Sequence, residues 1–312
     1  MGKSVKITLV LTLLIGVLCI GAGLFYAKQN GLGLGQLTGQ LRENFQKLDL
    51  KSSNKIGYVR EARTVYGQVR TERNLLIRNG ANRLTISPGP EFAVSIWGDL
   101  PENQEMGLIW QEREDLLVVD FQEYFKKQAA QGKDTSVLLQ LPQKEWELLQ
   151  LNNRGGAVKL QELTVQQMEM KESEGQLTLE GAHIEKLSVQ GNRLSVSGAG
   201  EVQEVHLAVH DGDIQLKLSK VKGLIHTNKG KVMLQLAHLS GNLKVQADEG
   251  PILLSLPQRE YQYRLRNEKE GNAPILWYGK SAQGALDAGE EKGFPLLEAY
   301  TKGPLLKVEA LK

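Results

Sequence analysis

Between Leu75 and Leu151, apolar residues alternate with polar ones or run together over strand lengths: RLTIS, FAVSIW, DLLVVDF and SVLLQLP. Period-two alternation turns every second side chain to one face, so each stretch predicts a strand. Pro88, Gly89 and Pro90 punctuate them, as do Gly98, Asp99 and Pro101. Phe121 to Lys133 (FQEYFKKQAAQGK) is the one excursion that reads as helix or loop.

Further on the chain repeats itself. His210 to Leu236 says GDIQLKL, makes a short connection, then says GKVMLQL. Taking each glycine ahead of an apolar-x-apolar pair gives Gly156, Gly175, Gly191, Gly212, Gly230 and Gly250, at intervals of 19, 16, 21, 18 and 20. Uneven spacing about one value predicts stacked courses with loops of differing length. The inward candidates are Val158 and Leu160, Leu177 and Leu179, Leu194 and Val196, Ile214 and Leu216, Val232 and Leu234, Ile252 and Leu254. Lys159, Thr178, Ser195, Gln215, Met233 and Leu253 fall on the opposite face, which is mostly polar. A second ladder recurs between the glycines: Met168 and Met170, Leu187 and Val189, Leu207 and Val209, Ile225 and Thr227, Leu243 and Val245. Two short strands per course predict two sheets across a narrow aliphatic core, each course hidden by its neighbours. Glycine fits the corners, where the chain turns sharply.

The N-terminal end follows another pattern. Ile7 to Ala27 is an uncharged stretch of 21 residues, ITLVLTLLIGVLCIGAGLFYA. At ~1.5 Å per residue it spans a ~30 Å hydrocarbon core. Lys3 and Lys6 ahead of it favour a cytoplasmic N-terminus. The stretch is longer than the ~7–15 apolar residues of a cleaved signal, so an uncleaved anchor is expected. GVLC before Cys19 lacks the small residues of a lipoprotein signal, and MGKSVK lacks a myristoylation site's Ser or Thr. Cys19 is then an inert thiol in the membrane, with palmitoylation as the alternative. GLGLGQLTG (Gly31 to Gly39) is linker composition. The expected organisation is a cytoplasmic N-terminus at 1–6, a transmembrane helix at 7–27 and a linker at 28–55. A β-rich lead-in region, antiparallel or mixed, follows at 56–155. Solenoid courses occupy 156–257, and an irregular segment with a C-terminal cap occupies 258–312.

Composition narrows the function. The 312 residues carry a net charge of +2, which argues against a dedicated nucleic-acid binder. One cysteine rules out an internal disulfide framework. The charge is blocked: Lys51 to Arg83 holds eight basic and two acidic residues, and Pro101 to Tyr124 sets seven acids against Arg113. Such blocks are solvated faces in the plain reading. In the functional reading Lys51, Lys55, Arg60, Arg63, Arg70 and Arg73 rest on anionic lipid or wall polymer.

Candidate chemistry is sparse. His206 and His210 stand four apart, a metal pair on a helix, but Val205, Leu207 and Val209 alternate with them and predict a strand. There the two imidazoles lie ~13 Å apart, too far for one ion. Glu174, Asp211, Lys229 and Glu249 each precede a course glycine and could form a vertical surface row, with Lys229 between Asp211 and Glu249. The sharper reading makes Asp211, Asp213, Asp248 and Glu249 a carboxylate cluster that binds a cation or cleaves polysaccharide. Glycosidases need two carboxyls ~5–9.5 Å apart. Trp97, Trp110, Trp146 and Trp277 either stack on sugars or pack the core and sheet ends. No G-x-S-x-G elbow is present. No catalytic residue, cofactor or metal is expected.

The order NGANRLTISPG, FAVSIWGD, EDLLVVDF, SVLLQLP and then glycine-apolar-x-apolar courses resembles the putative adhesin β-strand-repeat family of bacterial envelope proteins. That family includes the membrane-anchored G component of the Lia cell-envelope stress operon. The resemblance covers residues 70–257, with a last course at Gly303 to Val308 (GPLLKV) after a departure at Tyr261 to Lys302. It implies an all-β solenoid ectodomain, an extracellular position on a Gram-positive cell membrane, and a non-enzymatic role. The expected partners are the membrane, through a single-pass anchor, and an envelope polymer or an envelope or membrane protein; nucleic acid is not expected. The expected function is a binding or scaffold module accessory to envelope homeostasis, stress signalling or adhesion. The alternatives are a β-helix-type enzyme on wall or capsule polysaccharide and a purely structural stalk or adhesin.

Overall fold

The computed structural model describes residues 58–67, 69, 72–80, 82–101, 110–113, 115–122, 135–257, 261–269, 273–289 and 293–311. Ala62–Lys312 forms one compact unit, and a separate unit ends at Glu61. The expected anchor at 7–27, Cys19, the linker, Lys51, Lys55 and Arg70 lie outside the described residues. Phe121 and Gln122 are helical, and the rest of the predicted excursion, 123–133, also lies outside them.

The unit is all-β, built of short strands stacked in parallel along two ladders. The front ladder runs through Arg83–Gly89, residues 157–160 and 176–179, then residues 196–200, Ile214–Leu218, Val232–Leu236, Ile252–Leu256 and Leu306–Ala310. The rear ladder runs through Asn74–Asn79, residues 148–153 and 167–170, then residues 204–211, Val221–Lys229, Leu239–Ala247 and Leu296–Thr301. Alternation turns one apolar set inward from each. Ile214, Val232, Ile252 and Leu306 stack in one column and Leu216, Leu234, Leu254 and Val308 in the next, none more than 2% exposed. Each such side chain contributes ~1.5–3 kcal/mol when buried. No course could hide its apolar side without its neighbours, so the repeat is a packing requirement.

The corners show why glycine recurs. A Cβ on Gly250 would lie 1.6 Å from the Gly230 carbonyl oxygen, and one on Gly230 2.1 Å from that of Gly212. The chains touch backbone to backbone there. Beside this column runs a buried polar one that caps the turning backbone. Asn153 Nδ2 donates to the carbonyls of Gly156 (2.7 Å) and Glu174 (2.6 Å), and Thr301 Oγ1 donates to Gly250 O (2.7 Å).

Two registers differ from the sequence expectation. Ile214 pairs with Val196 and Leu216 with Gly198, so Leu194 and Val196 do not underlie Ile214 and Leu216. Leu194, not Gly191, holds the corner level, because the Gly212 backbone packs against the Leu194 carbonyl. Gly191 lies one column back, beside Ser173 O, where its own Cβ would sit 2.7 Å from Leu194 Cβ. The physical reason is an exchange of volume. Leu194 fills space that glycine leaves at other courses, and Gly191 gives up a side chain beside it. The corner positions become 156, 175, 194, 212, 230 and 250, with intervals of 19, 19, 18, 18 and 20. On the rear ladder Leu243 pairs with Gly223 and Val245 with Ile225, two residues off the expected match with Ile225 and Thr227. Ala247 opposes Thr227 because that position belongs to the column beside the corner.

Both ends are built out of chain order. Asn74–Asn79 lies between Leu116–Asp120 and residues 148–153, and Arg83–Gly89 between Ser136–Pro142 and residues 157–160. At the other end Leu296–Thr301 sits between Leu239–Ala247 and Gln262–Asn267, and Leu306–Ala310 between Ile252–Leu256 and Pro274–Trp277. At the C-terminal end the chain thus lays the outermost course first and returns to fill the slot, whereas at the N-terminal end it lays the inner course first, adds the outermost one and then crosses back to continue the stack. Residues after 257 therefore add two courses as well as a cap, and Gly303 packs on Gly250. Antiparallel strands close the terminal edges. Phe92–Pro101 covers Ser136–Pro142, and Trp110–Arg113 covers Leu116–Asp120. Lys280–Gln283 covers Pro274–Trp277, and Ala285–Ala288 covers Gln262–Asn267. Three of these covering strands are only four residues long and leave little edge for another chain to extend.

Candidate functional site

With Leu194 at the corner, the residue before it is Arg193, and the expected surface row becomes longer and strictly alternating. Arg154 stands in register with Glu174, whose Oε2 accepts from Arg193 at 2.8 Å. Asp211 is in register with Lys229. Glu249 precedes Gly250, which packs on Gly230, and Lys302 precedes Gly303, which packs on Gly250. Signs therefore alternate at each ~4.8 Å step. In water two like charges at that spacing repel by about 1 kcal/mol, so alternation removes a cost that would recur at every course. The rear face repeats the device. Lys186 and Lys222 stand 3.9 and 3.6 Å from Glu204, and Arg264 pairs with Glu298.

The four predicted carboxylates do not converge. Asp211 accompanies His210 (Oδ1 to Nδ1, 3.3 Å), and Asp213 Oδ1 accepts from the Lys231 amide at 2.8 Å. Asp248 is held by Gln246 Nε2 (2.8 Å) and His226 Nε2 (3.3 Å). Burial pushes the Asp248 carboxyl up, but those hydrogen bonds outweigh it and the group sits below the usual range. A depressed carboxyl is an anion at neutral pH, the opposite of a general acid. Asp248 and Glu249 do line one open depression of about 560 Å³, together with Lys269, Tyr300 and Lys302. A second, of about 520 Å³, lies over Glu147, Lys186, Glu204 and Lys222. Both are shallow mixtures of acid and base. Among the described residues no group of three His, Cys, Asp or Glu side chains could hold a metal ion.

The two charge blocks meet as neighbours. Asn74–Asn79 and Leu116–Asp120 are paired strands, and Arg78 bonds Asp120 at 3.0 Å. Of the predicted basic set, Arg73 pairs with Glu147 at 2.7 Å. Arg63 is in the first strand, Tyr58–Gly67, and so is Arg60, whose side chain is not described. The tryptophans divide. Trp146 is fully buried, with Lys144 Nζ 4.3 Å from its ring centroid. Trp277 packs edge-on to Tyr263 and Tyr278 in an aromatic cluster that ends the core. There Tyr263 OH and Tyr278 OH are 3.1 Å apart, and burial drives both phenols up. Trp97 is 44% exposed, and the side chain of Trp110 is not described.

Sequence reasoning missed Arg154, Arg193 and Lys302. The usable signal was regularity: intervals of 16 and 21 around Gly191 become 19 and 18 when the corner moves to Leu194.

A family model described as Toastrack DUF4097 matches residues 73–271. No curated protein matches the chain. Among solved structures, a putative adhesin from Bacteroides fragilis is 12% identical, over 80% of this chain and 97% of its own, with a TM-score of 0.48. A putative adhesin from Parabacteroides distasonis is also 12% identical over 80% and 97%, with a TM-score of 0.45. A putative lipid binding protein from Parabacteroides distasonis shares the same identity and coverage, with a TM-score of 0.43.

Proposed function

Because the chain belongs to the Toastrack DUF4097 family, we propose that it is a membrane-anchored, envelope-exposed binding or scaffold module without catalytic chemistry. In this reading it serves envelope homeostasis, stress signalling or adhesion on a Gram-positive cell, in the manner of the Lia operon's G component. The observation that carries the reading is the charge-alternating outer surface of a stack whose corners are locked backbone to backbone. Such a surface is stiff, wet and neutral over any few courses. It suits an extended contact with a polymer or protein, and its open depressions lack the enclosed, convergent polar groups of a catalytic pocket. The uncharged stretch at 7–27 supports the anchor.

The test uses the full chain in cells. Asp211, Asp213, Asp248 and Glu249 are changed together to Ala, and purified wall and capsule polysaccharide are incubated with wild type and variant. No release of reducing ends by either, with the envelope-stress phenotype kept by the variant, is expected. Release by the wild type that the variant loses overturns the non-enzymatic reading in favour of the polysaccharide enzyme. Protease digestion of the unit from outside intact cells, with the chain resisting carbonate extraction, is the expected localisation. Protection from external protease overturns it.

A further inference from the structure

Among the described residues large apolar side chains are rarely exposed, and the two most exposed are aromatic and lie on neighbouring strands. Tyr66 is 63% exposed and Trp97 44%. Tyr66 lies on Tyr58–Gly67, which pairs with Phe92–Pro101, the strand that carries Trp97 and covers the N-terminal end of the front ladder. Thr64 Oγ1 and Ser95 Oγ are 2.8 Å apart across those two strands. Side chains two apart in a strand share a face, so Tyr66 follows Thr64 and Trp97 follows Ser95 onto one outer surface. The alternate residues, Val65, Val94 and Ile96, turn to the core. Neither aromatic is needed there to fill the interior. The other exposed apolar residues do not gather in this way, since Leu224 is flanked in register by His206 and Lys244.

We propose that the Tyr66–Trp97 face docks on the headgroup–acyl boundary of the bilayer that holds the chain's own N-terminal segment. The proposal rests on the anchored reading above. Three observations choose lipid as the occupant. Residues 1–57, outside the described residues, run in sequence up to the strand that carries Tyr66, and they contain the 21-residue uncharged stretch, with 30 residues between it and Tyr58. Trp and Tyr are the side chains that settle at membrane interfaces, with the ring in the apolar layer and the N–H or O–H in the headgroups. The connecting sequence from Lys51 to Tyr66 carries Lys51, Lys55, Arg60 and Arg63 against Glu61 alone, a surplus that matches an anionic leaflet. The docked face sets the N-terminal cap on the membrane, so that the unit is held by an anchor and a contact together.

The test reconstitutes the full chain in phosphatidylcholine–phosphatidylglycerol vesicles, with or without lipids brominated near the top of the acyl chain. The emission of Trp97 is taken as wild type minus Trp97→Phe, with Trp97→Tyr as a second reference should Phe disturb the strand. Brominated lipid is expected to quench that difference at least ~2-fold while the chain resists carbonate extraction, the behaviour of an interfacial indole. An unquenched Trp97 in a carbonate-resistant chain overturns the docking and leaves the anchor intact. Unquenched but blue-shifted emission assigns the face to a second copy and also overturns it. Quenching in a chain that carbonate removes supports the docking and overturns the anchor. Absence of both overturns both.

Discussion

Replacing Gly250 with alanine tests the central claim about the corners, that the courses meet there backbone to backbone. The added Cβ would start 1.6 Å from Gly230 O, and real Cβ atoms do not come within 3.0 Å of such an atom. The two courses must therefore part by more than 1 Å at that level. The backbone bonds Val232 N to Pro251 O (3.0 Å) and Ile252 N to Leu305 O (2.9 Å) hold the strand next to the corner on its two sides. The side-chain bond from Thr301 to Gly250 O (2.7 Å) caps the corner itself. Losing two or three such bonds at ~0.5–1.5 kcal/mol each, with looser packing of Ile252, amounts to ~3–5 kcal/mol. Gly279→Ala is the control. Its φ is +81° but no atom lies within 4 Å of the added Cβ, so only backbone conformation is taxed, by ~1–2 kcal/mol. Hydrogen-exchange mass spectrometry on the full chain reads both locally. Amides across residues 230–256 should lose at least ~100-fold in protection in Gly250→Ala, and no more than ~30-fold around 274–283 in Gly279→Ala. If Gly250→Ala keeps protection within ~3-fold of wild type, the close-approach argument is wrong.

Other outcomes follow from the same geometry. Leu194→Gly restores the corner residue of the other courses, yet it should destabilise by ~2–5 kcal/mol, read by urea unfolding, because Gly191 has already vacated space for the leucine. A chain ending at residue 293 lacks an inner course, so the cap strands from Gln262 to Ala288 should lose exchange protection along with Leu239–Ala247. Lys229→Glu places three acids in succession with Asp211 and Glu249. It creates two repulsive steps and should cost ~2 kcal/mol at low ionic strength and much less at 1 M salt, where the Debye length is ~3 Å. The Asp248 carboxyl is depressed below its ordinary value of 3.8 and that of Glu169 below 4.5, the latter chiefly by the hydrogen bond from Lys171. The stability these carboxylates contribute is complete above about pH 4.5 and lost as pH falls through the folded-state values. Acid unfolding of Asp248→Asn should therefore show a weaker dependence on pH below 4, and an unchanged acid limb would refute the assignment.

The inward columns were readable from the chain because burial imposes a period of two and stacking imposes a repeat near 19 residues. Leu179, Val196, Leu216, Leu234 and Leu254 are all buried as the alternation requires. Which residues stand above one another was less legible. A register shift of two leaves every side chain on its own face, so alternation alone cannot distinguish Leu194 from Val196 beneath Ile214. Only the volumes of Leu194 and Gly191 decide it. The same shift hid Arg193, which extends to Glu174 the alternation that Asp211, Lys229 and Glu249 already show. Out-of-order courses were hidden for another reason. Leu296–Thr301 pairs with Leu239–Ala247 more than fifty residues upstream, and nothing local marks a strand as the filler of an inner slot.

By itself, then, the order of apolar and polar residues determined that this chain makes strands, which side of each is buried, and that the strands must stack, since local sterics and the removal of apolar surface from water act on each residue. The vertical neighbours, the insertion of an inner course behind the C-terminal cap, and the shared face of Tyr66 and Trp97 were decided by tertiary structure. Those features depend on contacts between residues distant in sequence, where volume and charge are matched only after the courses have come together.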